Sequence, residues 1–184
     1  MKKVYLVHGW GGSSKGGWFD WLKKELSKKK IRVYASDMPD TENPTIEKWV
    51  GFLEKNVKDI DNDTFFVGHS IGCQTILRFL ERLPEKVKVG GAVFVAGWFN
   101  LKNLETPGDE KIAKPWIENK IDLNRVKKHT NNFLAIFSEN DPFVPISDAK
   151  LFKEKLGAKI IIKKNKGHFD NIDRIEEILD FFKK

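Results

Sequence analysis

The chain has almost no cysteine. Cys73 stands alone among 184 residues, so no internal disulfide can form, and a reducing compartment fits that usage. A chain of this length can bury a sizeable core without a disulfide or a structural metal. Long apolar runs are also missing. No stretch approaches the roughly 18 apolar residues that a membrane helix needs. The short apolar run after Lys2-Lys3 is broken by His8 and Gly9, too early for a secretion signal. The expectation is therefore a cytoplasmic protein that does not engage a membrane. No Gly-Lys-Ser/Thr triplet occurs, which argues against a phosphate-binding P-loop. Internal repeats and low-complexity segments are lacking too.

The formal net charge is +7. The lysines are scattered among acids, as in Lys23-Lys24-Glu25 and Lys153-Glu154-Lys155. The short clusters at Lys28-Lys29-Lys30 and Lys163-Lys164 have no stacking aromatics interleaved with them, so a nucleic-acid partner is not expected. Hydrophobic content of 40% and charged content of 32% place the chain among globular proteins.

Strand-like and helix-like runs alternate from end to end. Strands are predicted at Lys3–His8, Arg32–Ser36, Phe65–Val67, Ala92–Ala96, Phe133–Ser138 and Lys159–Lys163. Helices are predicted at Gly17–Lys29, from a Thr45 N-cap to about Lys58, at Ile71–Leu83, from a Ser147 cap to Leu156, and at Ile172–Phe182. The strands read as apolar throughout rather than alternating, as in a parallel sheet covered on both faces. The expected architecture is an α/β sandwich of three layers, α/β/α, with a mainly parallel six-stranded sheet and one domain over residues 1–184. The connection from Gly97 to Asn132 exceeds an ordinary crossover. It has room for one or two helices and a loop, hence for a partial lid but not for a cap domain.

Gly68-His69-Ser70-Ile71-Gly72 lies where an apolar strand gives way to an apolar helix. A sharp turn there needs small residues on either side, because strand and helix pass close together. The serine at the apex stands clear at the carboxyl edge of the sheet, and the amide of Ile71 faces the same spot from a helix N-terminus. A serine needs a base, and the base needs an orienting acid. On this topology the acid and then the base follow the serine at the ends of later strands. Asp141, before Pro142, and His168, in Gly167-His168-Phe169, meet that order. Glu139 and Asp37 are the competing acids. Of the other three histidines, His129 reads as solvent-facing, His69 as flanking the pocket, and His8 as packing locally. The loop His8-Gly9-Trp10-Gly11-Gly12 offers the amide of Trp10 as a second oxyanion donor. Its Gly9-x-Gly11 also suggests a dinucleotide fingerprint, but Ser14 occupies the third glycine position and the loop wanders before the helix.

Taken together, His8-Gly9, Asp37-Met38-Pro39, the serine turn, Asp141-Pro142-Phe143-Val144-Pro145 and Gly167-His168-Phe169 resemble the α/β-hydrolase superfamily. More narrowly they resemble its small lidless serine hydrolases, the YdeN and retinoblastoma-binding protein 9 family, over essentially the whole chain. The resemblance implies a sheet without the first antiparallel strands of larger hydrolases. It also implies Ser70 as nucleophile, His168 as base and Asp141 as acid. The expected activity is a serine hydrolase of the carboxylesterase type acting on small esters or activated amides, with no metal or organic cofactor. The alternative is a protein-interaction module that keeps a fossil site. Trp10, Trp98, Trp116, Phe143 and Phe169 are the aromatics expected near the site. Of these, Trp98, Trp116, Phe143 and Phe169 are expected to contact substrate.

Overall fold

A computed structural model describes residues 1–183. Its strands are β1 (Lys3–Val7), β2 (Arg32–Ala35), β3 (Thr64–His69), β4 (Gly91–Val95), β5 (Phe133–Ser138) and β6 (Lys159–Lys163). They form one sheet in the order β2-β1-β3-β4-β5-β6, every pair parallel. β3, β4 and β5 are buried along their whole length, which is why their sequences do not alternate. The outer strands β2 and β6 are only partly covered and carry Arg32, Lys159 and Lys163, charges that discourage edge-to-edge pairing.

The helices are α1 (Gly17–Lys28), α2 (Ile46–Asn56), α3 (Ile71–Arg82), α4 (Pro107–Glu118), α5 (Leu123–His129), α6 (Asp148–Leu151) and α7 (Glu176–Phe181). β1 steps to β2 in one direction, and every later crossover runs the other way. Right-handed crossovers therefore put α1 on one face and α2, α3, α5 and α6 on the opposite face, in agreement with which helices touch; α7, after the last strand, packs against α1. The reversal opens a crevice at the carboxyl ends of β1 and β3. Val7 and Gly68 pair there, so the loop after β1 and the turn after β3 begin side by side.

The long connection holds two helices. A capping box opens α4: the Thr106 hydroxyl accepts from the Asp109 amide, the Asp109 carboxylate accepts from the Thr106 amide, and Pro107 follows the cap. Its C-terminus is clamped by Arg78 of α3. That buried guanidinium donates to the carbonyls of Trp116 (2.8 Å) and Asn119 (2.7 Å) and lies over the Trp116 ring, satisfying helix-end carbonyls.

Several expectations are corrected by packing. The last helix begins at Glu176 rather than Ile172. Phe169 turns the chain at φ 64, and the Ile172 carbonyl then lies against Gly17. Ser147 makes no side-chain cap and is itself helical; α6 continues as a π-helical turn over Phe152–Leu156 and stops at Gly157, φ 70. His129 is buried, not solvent-facing, and donates from Nδ1 to the Val87 carbonyl at 2.7 Å.

Candidate active site

Between β3 and α3 the backbone of Ser70 takes φ 52, ψ −120, a region that costs an L-residue of the order of 1–3 kcal/mol. The surroundings impose it. The Ser70 amide donates to the Val95 carbonyl at 2.9 Å, and the Cys73 amide donates to the Ser70 carbonyl at 2.9 Å. A β-carbon on Gly68 would lie 2.8 Å from the Cys73 nitrogen, and one on Gly72 only 2.4 Å from the Val7 oxygen. Both glycines are there because strand and helix touch. The Ser70 hydroxyl makes no hydrogen bond among the described residues. Cys73, three residues on, is buried, and burial pushes its thiol pKa up, as for an inert structural cysteine.

The loop after β1 is fastened by His8. Its Nε2 accepts from the Met38 amide (2.8 Å), so Nδ1 carries the proton and donates to the Gly9 carbonyl (2.7 Å). Both nitrogens are used by the neutral ring, and burial lowers its pKa. The Gly11 amide donates to Thr41, the Gly12 amide to Gly9, and the Trp10 indole to the Glu42 carbonyl. The backbone amide of Trp10 is left without an acceptor among the described residues. That of Ile71, in the first turn of α3, has no intrahelical partner either.

Asp141 is 3% exposed. Its Oδ1 accepts from the amides of Phe143 and Val144, both at 2.9 Å. His168 Nδ1 sits 2.9 Å from Oδ2 and 3.1 Å from Oδ1. The Phe143 ring meets the imidazole edge-on, centroids 5.3 Å apart. The competing acids do not bond His168. Glu139 is exposed. Asp37 is exposed too and accepts from the Ser14 amide at 2.6 Å, which lowers its pKa.

Ser70 and His168 open into one cavity of about 480 Å³. Trp10 and Ile71 line it as well, together with Trp98, Phe143 and Phe169. Trp116 does not. It is 1% exposed, its indole N–H donates to the Pro44 carbonyl at 3.1 Å, and its ring abuts Trp49. The expectation that it contacts substrate is corrected: the Arg78 clamp draws it into the core.

The serine hydrolase family model matches residues 4–177. The chain belongs to that family. YdeN of Bacillus subtilis strain 168 is 31% identical over 168 residues, covering 91% of this chain and 86% of that protein. The serine hydrolase RBBP9 of Rattus norvegicus is 26% identical over 175 residues, covering 93% and 89%. The crystal structure of the Bacillus subtilis ydeN gene product superposes with a TM-score of 0.88 at 27% identity, covering 100% of both chains. The architecture is that of an α/β hydrolase, and the protein is a hydrolase. No helix among the described residues is long and apolar enough to cross a membrane.

Some features of this family member lay outside the sequence reading. Leu101 and Leu104, from the start of the long connection, form one cavity wall, and Trp18 and Phe19 of α1 form another. The Leu101 wall is tied down by Asp148, fully buried, which accepts from the amides of Phe99 and Asn100. The Lys102 amide donates to the Phe143 carbonyl, and the Asn103 side chain to that of Pro142, each at 2.9 Å. Ser138 and Asn140 accept from the amides of Lys166 and Gly167, both at 3.0 Å, holding the loop that presents His168. The signal for these two was polar residues closing an apolar strand, which could not name a partner 27 or 28 residues away.

Proposed function

We propose that the protein is a carboxylesterase-type serine hydrolase that cleaves small esters or activated amides through an acyl-enzyme. The observation that carries the reading is the buried Asp141 carboxylate bonded to Nδ1 of His168, on the same cavity as a serine in strained backbone geometry. In this reading Ser70 Oγ attacks the substrate carbonyl carbon while His168 Nε2 takes the hydroxyl proton. The carbonyl oxygen becomes an oxyanion facing the amides of Trp10 and Ile71. The intermediate collapses, the carbon–oxygen bond to the alcohol breaks, and His168 returns the proton to that leaving group. Water then repeats the sequence on the acyl-Ser70 ester. Asp141, accepting from Nδ1–H, fixes the tautomer and stabilises the imidazolium.

The test is a panel of p-nitrophenyl esters of graded acyl length, assayed with the wild type and Ser70→Ala. Turnover that disappears in a folded Ser70→Ala protein supports the reading. Turnover that persists there overturns it.

A further inference from the structure

His69 precedes the serine and has no part in the proton transfers described above. It is 7% exposed. Its Nε2 lies 2.7 Å from the main-chain carbonyl oxygen of His168. A carbonyl only accepts, so His69 must carry its proton on Nε2. The other edge of the ring faces the loop after β1: a β-carbon on Gly9 would lie 2.9 Å from His69 Nδ1. Trp18 meets the ring at 89°, and the His168 imidazole lies 5.1 Å away, centroid to centroid. One side chain thus touches the Trp10 loop, belongs to the Ser70 turn, and bonds the loop that carries His168.

We infer that His69 is a positioning residue that sets the height of His168 over Ser70, through its Nε2–H bond to the His168 carbonyl. The His168 loop needs such a tie on this side. It carries positive φ at Asn165, Gly167 and Phe169, and Ser138 and Asn140 hold it only from the β5 side. An imidazolium would donate from Nε2 as well, but the neighbourhood keeps the ring neutral. Burial first, then the His168 imidazole and least of all His8, outweigh the bond to the His168 carbonyl and the Asp141 carboxylate, taking its pKa down to about 3. Asp170 also lies beside the ring, 3.9 Å from Nε2. A neutral ring also spares the His168 imidazolium a like charge as it forms.

The inference rests on the proposed roles of Ser70 and His168, and two experiments separate its failure from theirs. In the first, His69→Phe keeps a flat ring and loses the N–H, whereas His69→Gln restores a donor at nearly the same reach. A loosened base costs about 10- to 100-fold. The expected loss in His69→Phe is of that size in kcat and in the rate of fluorophosphonate labelling at Ser70, with KM little changed. His69→Gln recovers most of it. Equal rates for His69→Phe and wild type, or equal losses in both variants, overturn the inference. In the second, nitrogen-15 NMR of the wild-type imidazoles, which requires no variant to fold, is expected to show His69 as the neutral Nε2–H tautomer from pH 5 to pH 8. An Nδ1–H tautomer of the neutral ring overturns it, whatever Ser70→Ala does to labelling.

Discussion

Gly72 lies so close to Val7 that a β-carbon on it would sit 2.4 Å from the Val7 carbonyl oxygen. This contact packs the start of α3 onto the end of β1 and brings the Ser70 turn against the Gly9–Trp10 loop. The obstacle is backbone, which cannot swing aside. Gly72→Ala is expected to lose about 3 kcal/mol or more of stability, the upper end for overpacking. Gly51, inside α2, has nothing within 4 Å of its would-be β-carbon. Gly51→Ala is expected to gain about 0.5–1 kcal/mol. Urea denaturation of the two variants checks both signs.

Ser70→Ala is expected to abolish labelling by a fluorophosphonate while leaving the melting temperature within a few degrees of wild type. The turn is imposed by Gly68, Gly72 and the Val95 carbonyl, not by the hydroxyl. Intact-mass spectrometry reads the label and calorimetry reads the fold. A folded Ser70→Ala protein that still takes the label would falsify the nucleophile assignment.

Asp141→Asn keeps an oxygen for the Phe143 and Val144 amides but turns an N–H toward His168, favouring the wrong imidazole tautomer. A loss of about 10³- to 10⁴-fold in kcat is expected, with KM little changed. Glu139→Gln, at an exposed position, is expected to be near wild type. The opposite ranking in steady-state kinetics would assign the acid to Glu139.

Acid should weaken the fold through His69. Its folded-state pKa is about 3 against an ordinary value of 6.5. Between those values the unfolded chain binds a proton and the folded chain does not. Stability is therefore complete above pH 6.5 and falls as pH drops toward 3, by up to about 1.4 kcal/mol per pH unit. His8, whose pKa burial also lowers, acts with the same sign. Chemical denaturation at pH 7.5 and pH 5 should show this loss in wild type and a smaller one in His69→Gln. Equal losses would remove His69 from the account.

The cavity is walled by Leu101, Leu104 and Trp98, with no cap domain over it among the described residues, and the Leu101 wall is pinned through Asp148. Acetyl and butyryl esters are expected to give higher kcat/KM than palmitoyl esters, with no jump in rate at the micelle threshold. A palmitoyl preference or interfacial activation would make the connection from Gly97 to Asn132 a mobile lid.

What the sequence determined by itself was the local chemistry and its order. A serine between two glycines at a strand-to-helix junction announces a tight turn within five residues, although the Val95 and Val7 carbonyls complete its geometry. Asp141 and His168 were expected to meet because each follows a strand within a few residues, and they lie 2.9 Å apart; the apolar runs themselves announced a parallel sheet buried on both faces. Tertiary structure decided whatever depends on residues far apart in the chain. Trp116 looked like a substrate wall until Arg78, 38 residues away, drew it into the core. His129 looked exposed, but it is buried and donates its Nδ1–H to the Val87 carbonyl, 42 residues away. His69 meets the His168 carbonyl across 99 residues. A hydrogen bond of that kind is set by where the sheet brings two loops together, and neither composition nor periodicity encodes the partner.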